Sequence, residues 1–174
     1  SLIMDYLDEV DTKAQQIGAV NTVARASDGR LVGYNTDAQG AIDSLTKAMP
    51  WQQQPFLPTL IGLRVLLIGL GGAGRAVAFA IADEIGSSGS MIVANRTADT
   101  ASELARSVNQ AYGNARAVLE SEIATILPDV DLVINASLRG QSGLRQLPDG
   151  RTICFEPYSS LALADPSGIA ADQY

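Results

Sequence analysis

The residues best suited to chemistry fall into three clusters of the 174-residue chain. Gly69-Leu70-Gly71-Gly72-Ala73-Gly74 fits the pattern G-x-G-x-x-G. In that pattern the first glycine permits a tight turn, the second lets backbone approach a pyrophosphate, and the third lets a helix pack closely on a strand. Free N–H groups at the start of the following helix then face the phosphates, aided by the helix dipole. A bare match is weak evidence. Here a continuous apolar run precedes the loop and a small-residue helix follows it, which is the context the motif needs; a glycine-rich turn without a ligand is the weaker reading. The second cluster, Asn95-Arg96-Thr97, ends the next apolar run. An NAD site places Asp or Glu there for the ribose hydroxyls, whereas an arginine pairs with a 2′-phosphate that a carboxylate would repel. Arg96 therefore predicts NADP rather than NAD, gripped at the phosphate or stacked on the adenine face. The third cluster is a pair of Asn-Thr steps, Asn21-Thr22 and Asn35-Thr36, the latter followed by Asp37. On pattern alone these are equally well ordinary turn and strand-end residues.

Several chemistries are excluded. The chain has no histidine, which removes the commonest general base, the Ser-His-Asp triad and nearly every zinc site. The single cysteine, Cys154, rules out an internal disulfide and a Cys-cluster metal site; in its apolar run it reads as a small buried residue. No metal is expected. Twelve Lys and Arg stand against 19 Asp and Glu, a net charge of −7, so no basic stripe exists to neutralise phosphates and no nucleic-acid partner is expected. Asp129 and Asp131 superficially resemble paired catalytic carboxylates but read as solvated acids ahead of a strand. The N-terminal residues have neither the basic nor the apolar region of a signal peptide. The longest apolar stretch, 60–70, is interrupted by Arg64 and falls short of the roughly 18 residues a membrane span needs. The expectation is a cytoplasmic protein without a membrane partner.

The elements that must position these clusters follow from periodicity. Leu2, Ile3, Tyr6, Leu7 and Val10 fall near a helical stripe, predicting a helix over 2–16. Strand-like runs at 19–25 and 30–34 flank Asp28-Gly29, a hairpin turn signal, and a helix is expected over 37–49. Pro50, Pro55 and Pro58 then mark a connector over 50–58, where Trp51 is expected as a packing anchor. Beyond it strands and helices alternate: strands at 64–68, 91–94, 115–119, 131–135 and 152–155, helices at 73–85, 97–112 (with Thr97 as its cap) and 120–127. Alternation of this kind, with 47% apolar residues overall, predicts an α/β fold whose parallel sheet carries helices on both faces.

Taken together the clusters resemble the shikimate dehydrogenase family. Gly18-Ala19-Val20-Asn21-Thr22 resembles its G-A-V-N-T, and Asn35-Thr36-Asp37-Ala38-Gln39-Gly40 its N-T-D-x-x-G. Gly69 to Ala76 resembles G-x-G-G-A-G-R-A, Asn95-Arg96-Thr97 resembles N-R-T, and Ile134-Asn135-Ala136-Ser137 is similar to I-N-A-T. The likeness extends from about Leu2 to about Phe155 and keeps the family order. It implies a Rossmann-like NADP-binding domain over 59–174, reached through the linker 50–58, and a helix–hairpin–helix part of a second, substrate-binding domain over 1–49. It implies reduction of 3-dehydroshikimate to shikimate with NADPH, a polyhydroxylated cyclohexene carboxylate as ligand, and the rest of a longer parent polypeptide as partner. Asn21 and Asp37 would hold the substrate hydroxyls, with Asp37 catalytic beside a lysine. Gly69, Gly71, Gly72, Ala73, Gly74, Asn95, Arg96 and Thr97 would hold the cofactor.

The chain also departs from the family pattern. Aligned on Asn21, the family lysine falls immediately before Ser1; Lys13 and Lys47 are the only lysines, and neither takes its place. A further basic residue often found near position 100 is Thr100 here, and the tail after Phe155 differs. The competing reading is a non-catalytic module of the same descent that senses NADP(H) or a shikimate-like ligand. A different NADP oxidoreductase leaves the hairpin motifs unexplained, and a purely structural role leaves the glycine loop unexplained too.

Overall fold

The computed structural model describes residues 2–137, 143–146 and 152–155, with side chains over 3–137. The predicted N-terminal helix is three pieces: a 3-10 turn Leu2–Tyr6, a short strand β1 (Glu9–Val10) and helix α1 (Thr12–Ile17). The reason lies in Asp8 and Asp11. The Leu31 N–H donates to the Asp8 carboxylate at 2.7 Å, and the Asp11 N–H donates to the Gly33 carbonyl at 2.9 Å. The backbone over 8–11 is therefore held by a hairpin edge. Asp11 restarts the helix by accepting from the N–H groups of Lys13 and Ala14, the normal work of an N-cap aspartate.

The hairpin forms as expected. Strand β2 (Thr22–Arg25) runs antiparallel to β3 (Leu31–Tyr34), β1 lies parallel to β3 on its other edge, and Gly29 takes the left-handed conformation of the turn, with φ at 91°. Residues 19–21 precede the ladder. Helix α2 (Thr36–Thr46) follows, capped by Asn35. Trp51 is 80% exposed rather than an anchor.

The second unit is a four-stranded parallel sheet. Its chain order is β4 (Arg64–Ile68), α3 (Gly72–Ile85), β5 (Ser90–Asn95), α4 (Ala98–Ala111), β6 (Ala115–Leu119), α5 (Ile123–Ile126) with flanking 3-10 turns, and β7 (Leu132–Asn135). The spatial order is β6-β5-β4-β7. Side chains of β4 alternate between two cores. Val65 and Leu67 join Ile17, Ala38, Ile42, Phe79 and Val108 on one face, while Leu66 and Ile68 join Ile123, Leu127 and Val130 on the other. Burial on both faces is why the run has no polar alternation. The covering is unequal: α2, α3 and α4 contribute to the first core, and the short α5 with its turns to the second. Thr97 occupies the N-cap of α4, but its side chain makes no capping bond.

Strands β8 (Gly143–Gln146) and β9 (Thr152–Phe155) form a separate antiparallel pair, so 152–155 is a strand outside the parallel sheet. Burial of the Cys154 side chain and the divergent tail from Glu156 lie outside the described residues. Among the described residues no helix is long and apolar enough to cross a membrane.

Asp131 is not a free solvated acid. Its carboxylate accepts from the Arg64 backbone N–H at 2.8 Å and from the guanidinium at 2.7 and 3.0 Å, pinning the start of β7 to the start of β4. The Arg64 guanidinium holds the Asp131 carboxyl below the ordinary carboxylate range. A lowered folded-state pKa stabilises fully above the unfolded value of about 3.9 and is lost as pH falls through the folded value. The stability difference between wild type and Asp131→Asn, followed by circular dichroism, is therefore expected to be flat above about pH 5 and to shrink below about pH 4. A difference that does not shrink at all as the pH falls below about 4 counts against the ion pair.

Candidate functional site

Three loops meet at the carboxyl edge of the parallel sheet. From β4 the chain continues to β5 and β6 on one side, and β7 returns on the other. The order reverses beside β4, and in open α/β sheets ligands bind outside the strand ends at such a switch point. The Gly69 N–H donates to the Ala94 carbonyl at 3.2 Å, and the Ala136 N–H donates to the Ile68 carbonyl at 2.8 Å, so the ladder closes up to the loops themselves.

The glycines of the loop divide by function. Gly69 has φ at 87°, and a Cβ there would lie 2.5 Å from the Ser137 nitrogen. A Cβ on Gly74 would lie 2.1 Å from the Gly69 carbonyl oxygen. These two positions are fixed by packing. Gly71 and Gly72 differ: a Cβ at either meets nothing within 4 Å, and with Ala73 they are exposed. Gly71 is the N-cap of α3 and offers no side-chain cap. The first-turn N–H groups, which have no intrahelical partner, thus border open space, with the positive end of a 14-residue helix behind them. That arrangement suits a diphosphate.

Asn95-Arg96-Thr97 lies on the neighbouring strand end, since Ile68 is in register with Ala94. Arg96 is exposed and forms no ion pair among the described residues. The position holds no carboxylate that would repel a phosphate.

The hairpin assembles the third cluster. The Asn21 Oδ1 accepts from the Thr36 N–H at 3.0 Å, from the Thr22 hydroxyl at 3.0 Å and from the Thr36 hydroxyl at 3.3 Å. Because a backbone N–H can only donate, the Asn21 amide orientation is determined: its oxygen is committed inward and its NH₂ is available as a donor. Asp37, next to Thr36, is exposed in the first turn of α2 and receives no hydrogen bond from described residues. The hydrogen bond from Thr36 to Asn21 brings the Asn21 donor to the start of α2, where Asp37 is the next residue. Asn35 is structural: it accepts from the Ala38 N–H and donates to the Ala19 carbonyl at 3.1 Å. Neither lysine joins Asp37. Lys47 is paired with Asp43 at 2.8 Å, and Lys13 lines a separate cleft with Gln16, Gln39, Asp83 and Glu84.

Sequence reasoning missed two features. Thr22 and Thr36, 3.1 Å apart at their hydroxyls, buttress Asn21; they were legible only as parts of Asn-Thr pairs. Arg75 donates its Nε to the Ile17 carbonyl and sits over the Phe79 ring, 5.4 Å from its centre. An arginine in a helix start otherwise built of Gly and Ala was the available signal.

A family model of shikimate / quinate 5-dehydrogenases matches residues 53–144, more than half of the chain. The chain belongs to this family. The shikimate dehydrogenase (NADP(+)) of Shouchella clausii is 42% identical over 138 residues, covering 79% of the chain and 46% of that protein. A shikimate dehydrogenase crystallised with NADP+ is 34% identical, with a TM-score of 0.63 over 78% of the chain and 44% of its own. The quinate dehydrogenase of Corynebacterium glutamicum in complex with NAD is 28% identical, with a TM-score of 0.73 over 99% of the chain and 53% of its own. The chain therefore spans about half the length of these relatives. The family's fold is a Rossmann-type α/β sheet, which the four parallel strands and their helices reproduce.

Proposed function

We propose that the protein is an NADP-dependent oxidoreductase of the shikimate type, reducing 3-dehydroshikimate to shikimate. One observation carries this reading: a glycine loop with open space over Gly71 and Gly72 stands beside an unpaired Arg96 where NAD sites carry an acid. In this reading residues 59–174 hold the cofactor, 50–58 connect, and 1–49 form part of the substrate side, the remainder coming from elsewhere in the parent polypeptide. Gly69, Gly71, Gly72, Ala73 and Gly74 shape the diphosphate cradle. Asn95, Arg96 and Thr97 receive the adenosine end, with Arg96 on the 2′-phosphate.

When bound, NADPH supplies the hydride. The chain's own groups bind and orient. The Asn21 NH₂ donates to a substrate hydroxyl, and the Asp37 carboxylate accepts from one. A carboxylate accepts but does not donate, so Asp37 orients, and a separate group must give a proton to the developing oxyanion.

The test is titration with NADPH and NADH. NADPH is expected to bind preferentially, and Arg96→Ala to shrink the preference by one to two decades, since a charge-assisted phosphate contact is worth roughly 1.5–3 kcal/mol. Equal binding of both cofactors would refute the assignment of Arg96.

A further inference from the structure

We propose that Arg75 is a positioning residue that sets the Asn21 segment relative to the glycine loop, and so couples occupancy of the two. The inference rests on the proposed function for what the two places bind, but its geometry stands alone. The Arg75 backbone N–H donates to the Gly71 carbonyl at 2.8 Å, closing the first turn of α3 over the loop. Its side chain reaches the other way, and Nε donates to the Ile17 carbonyl at the end of α1. That carbonyl has no successor turn to serve, because the Gly18 N–H turns back to the carbonyls of Ala14 and Gln15 and Gly18 itself is left-handed. Three residues later stands Asn21. One side chain thus bridges the loop that begins α3 and the segment that delivers Asn21.

The bridge is built to be stiff. A guanidinium is always charged and its donors sit in a fixed fork. The guanidinium sits over the Phe79 face one helical turn on, and Phe79 is braced edge-on by Tyr112 at 6.4 Å between ring centres. No carboxylate competes for Arg75 among the described ion pairs. A change in the first turn of α3 on seating a diphosphate is therefore transmitted to the Ile17 carbonyl, and seating a ligand at Asn21 is transmitted back, because coupling between two sites is reciprocal.

Two measurements on wild type, Arg75→Met and Arg75→Lys test this. Amide hydrogen exchange of the ligand-free protein reads the bridge itself. Arg75→Met should speed exchange at Gly18, Ala19 and Asn21 by about a decade or more, as loss of a charge-assisted bond predicts, with β4 and β5 unchanged and Arg75→Lys intermediate. Unchanged exchange at those three amides overturns the proposal whatever the protein binds. The second measurement is the NADPH dissociation constant with and without saturating shikimate. Wild type should show a shikimate-dependent factor, Arg75→Met a factor close to one, and Arg75→Lys partial rescue. A merely structural role shifts both constants together and leaves their ratio intact; that outcome, or no factor in wild type, overturns the coupling. Failure of wild type to bind either ligand refutes the proposed function instead, and the exchange result still decides the bridge.

Discussion

Residues 1–174 alone are expected to bind NADPH yet reduce 3-dehydroshikimate at least about a hundredfold more slowly than the same residues preceded by a lysine-bearing segment, because loss of a proton-transfer group typically costs about 10²–10⁴ in rate. The chain has no histidine. Lys47 is held by Asp43, and Lys13 faces a cleft to which Asp37 does not contribute. Asp37 and Asn21 can order the hydroxyls, but neither supplies an acid to the ketone oxygen. Under the proposed function a lysine is expected immediately before Ser1, so the comparison is between residues 1–174 and a protein extended by the corresponding segment of the Shouchella clausii relative. NADPH consumption with 3-dehydroshikimate is the readout. In the extended protein Asp37→Ala and Asn21→Ala should then each lower the rate. Full activity of residues 1–174 would show that the proton comes from a group within them. An inactive extended protein that still binds NADPH tightly would favour a sensing module over an enzyme.

Gly71→Val should abolish saturable NADPH binding while leaving the fold in place. The backbone at Gly71 has φ at −68°, which any L-residue adopts, and its Cβ would meet nothing. The structural cost is the poorer N-cap, up to about 1 kcal/mol. The branched methyls would occupy the space where a diphosphate approaches backbone. Gly74→Ala is the contrasting case. Its Cβ would collide with the Gly69 carbonyl oxygen, and overpacking of that kind costs roughly 1–3 kcal/mol or more, or several degrees of Tm in a domain of this size. Melting curves and NADPH titrations on both variants separate the roles: the first should melt within a few degrees of wild type and not bind, the second should melt earlier than the first. A Gly71→Val protein that binds normally would mean that the nucleotide does not sit on this loop.

The sequence carried the sheet and the loop because the physics there is local. Val65 to Ile68 is apolar without alternation since both faces are covered, and that burial is written directly in residue type. The glycine loop is legible for the same reason: only glycine permits φ at 87° beside Ser137, or a helix backbone against the Gly69 carbonyl. The N-terminal stretch was misread where local and non-local bonding compete. Its helical stripe is real, but the open edge of β3 offers the backbone at 8–11 a ladder, and Asp8 and Asp11 take positions that no periodicity encodes. The ion pair of Asp131 was not legible for the same reason, since its partner Arg64 is 67 residues away.

By itself, then, the chain's order of residues determined the α/β alternation, the covered parallel strands, the glycine cradle and the absence of an acid at Arg96. These depend on neighbours a few residues apart, where steric and burial rules act through type and spacing. Only the tertiary structure decided which way the Asn21 amide faces, because the deciding donor is the N–H of Thr36 across the hairpin. It alone placed Arg75 on the Ile17 carbonyl, 58 residues back in the chain. Contacts at such separation arise from how helices and sheets pack, and no local pattern records them.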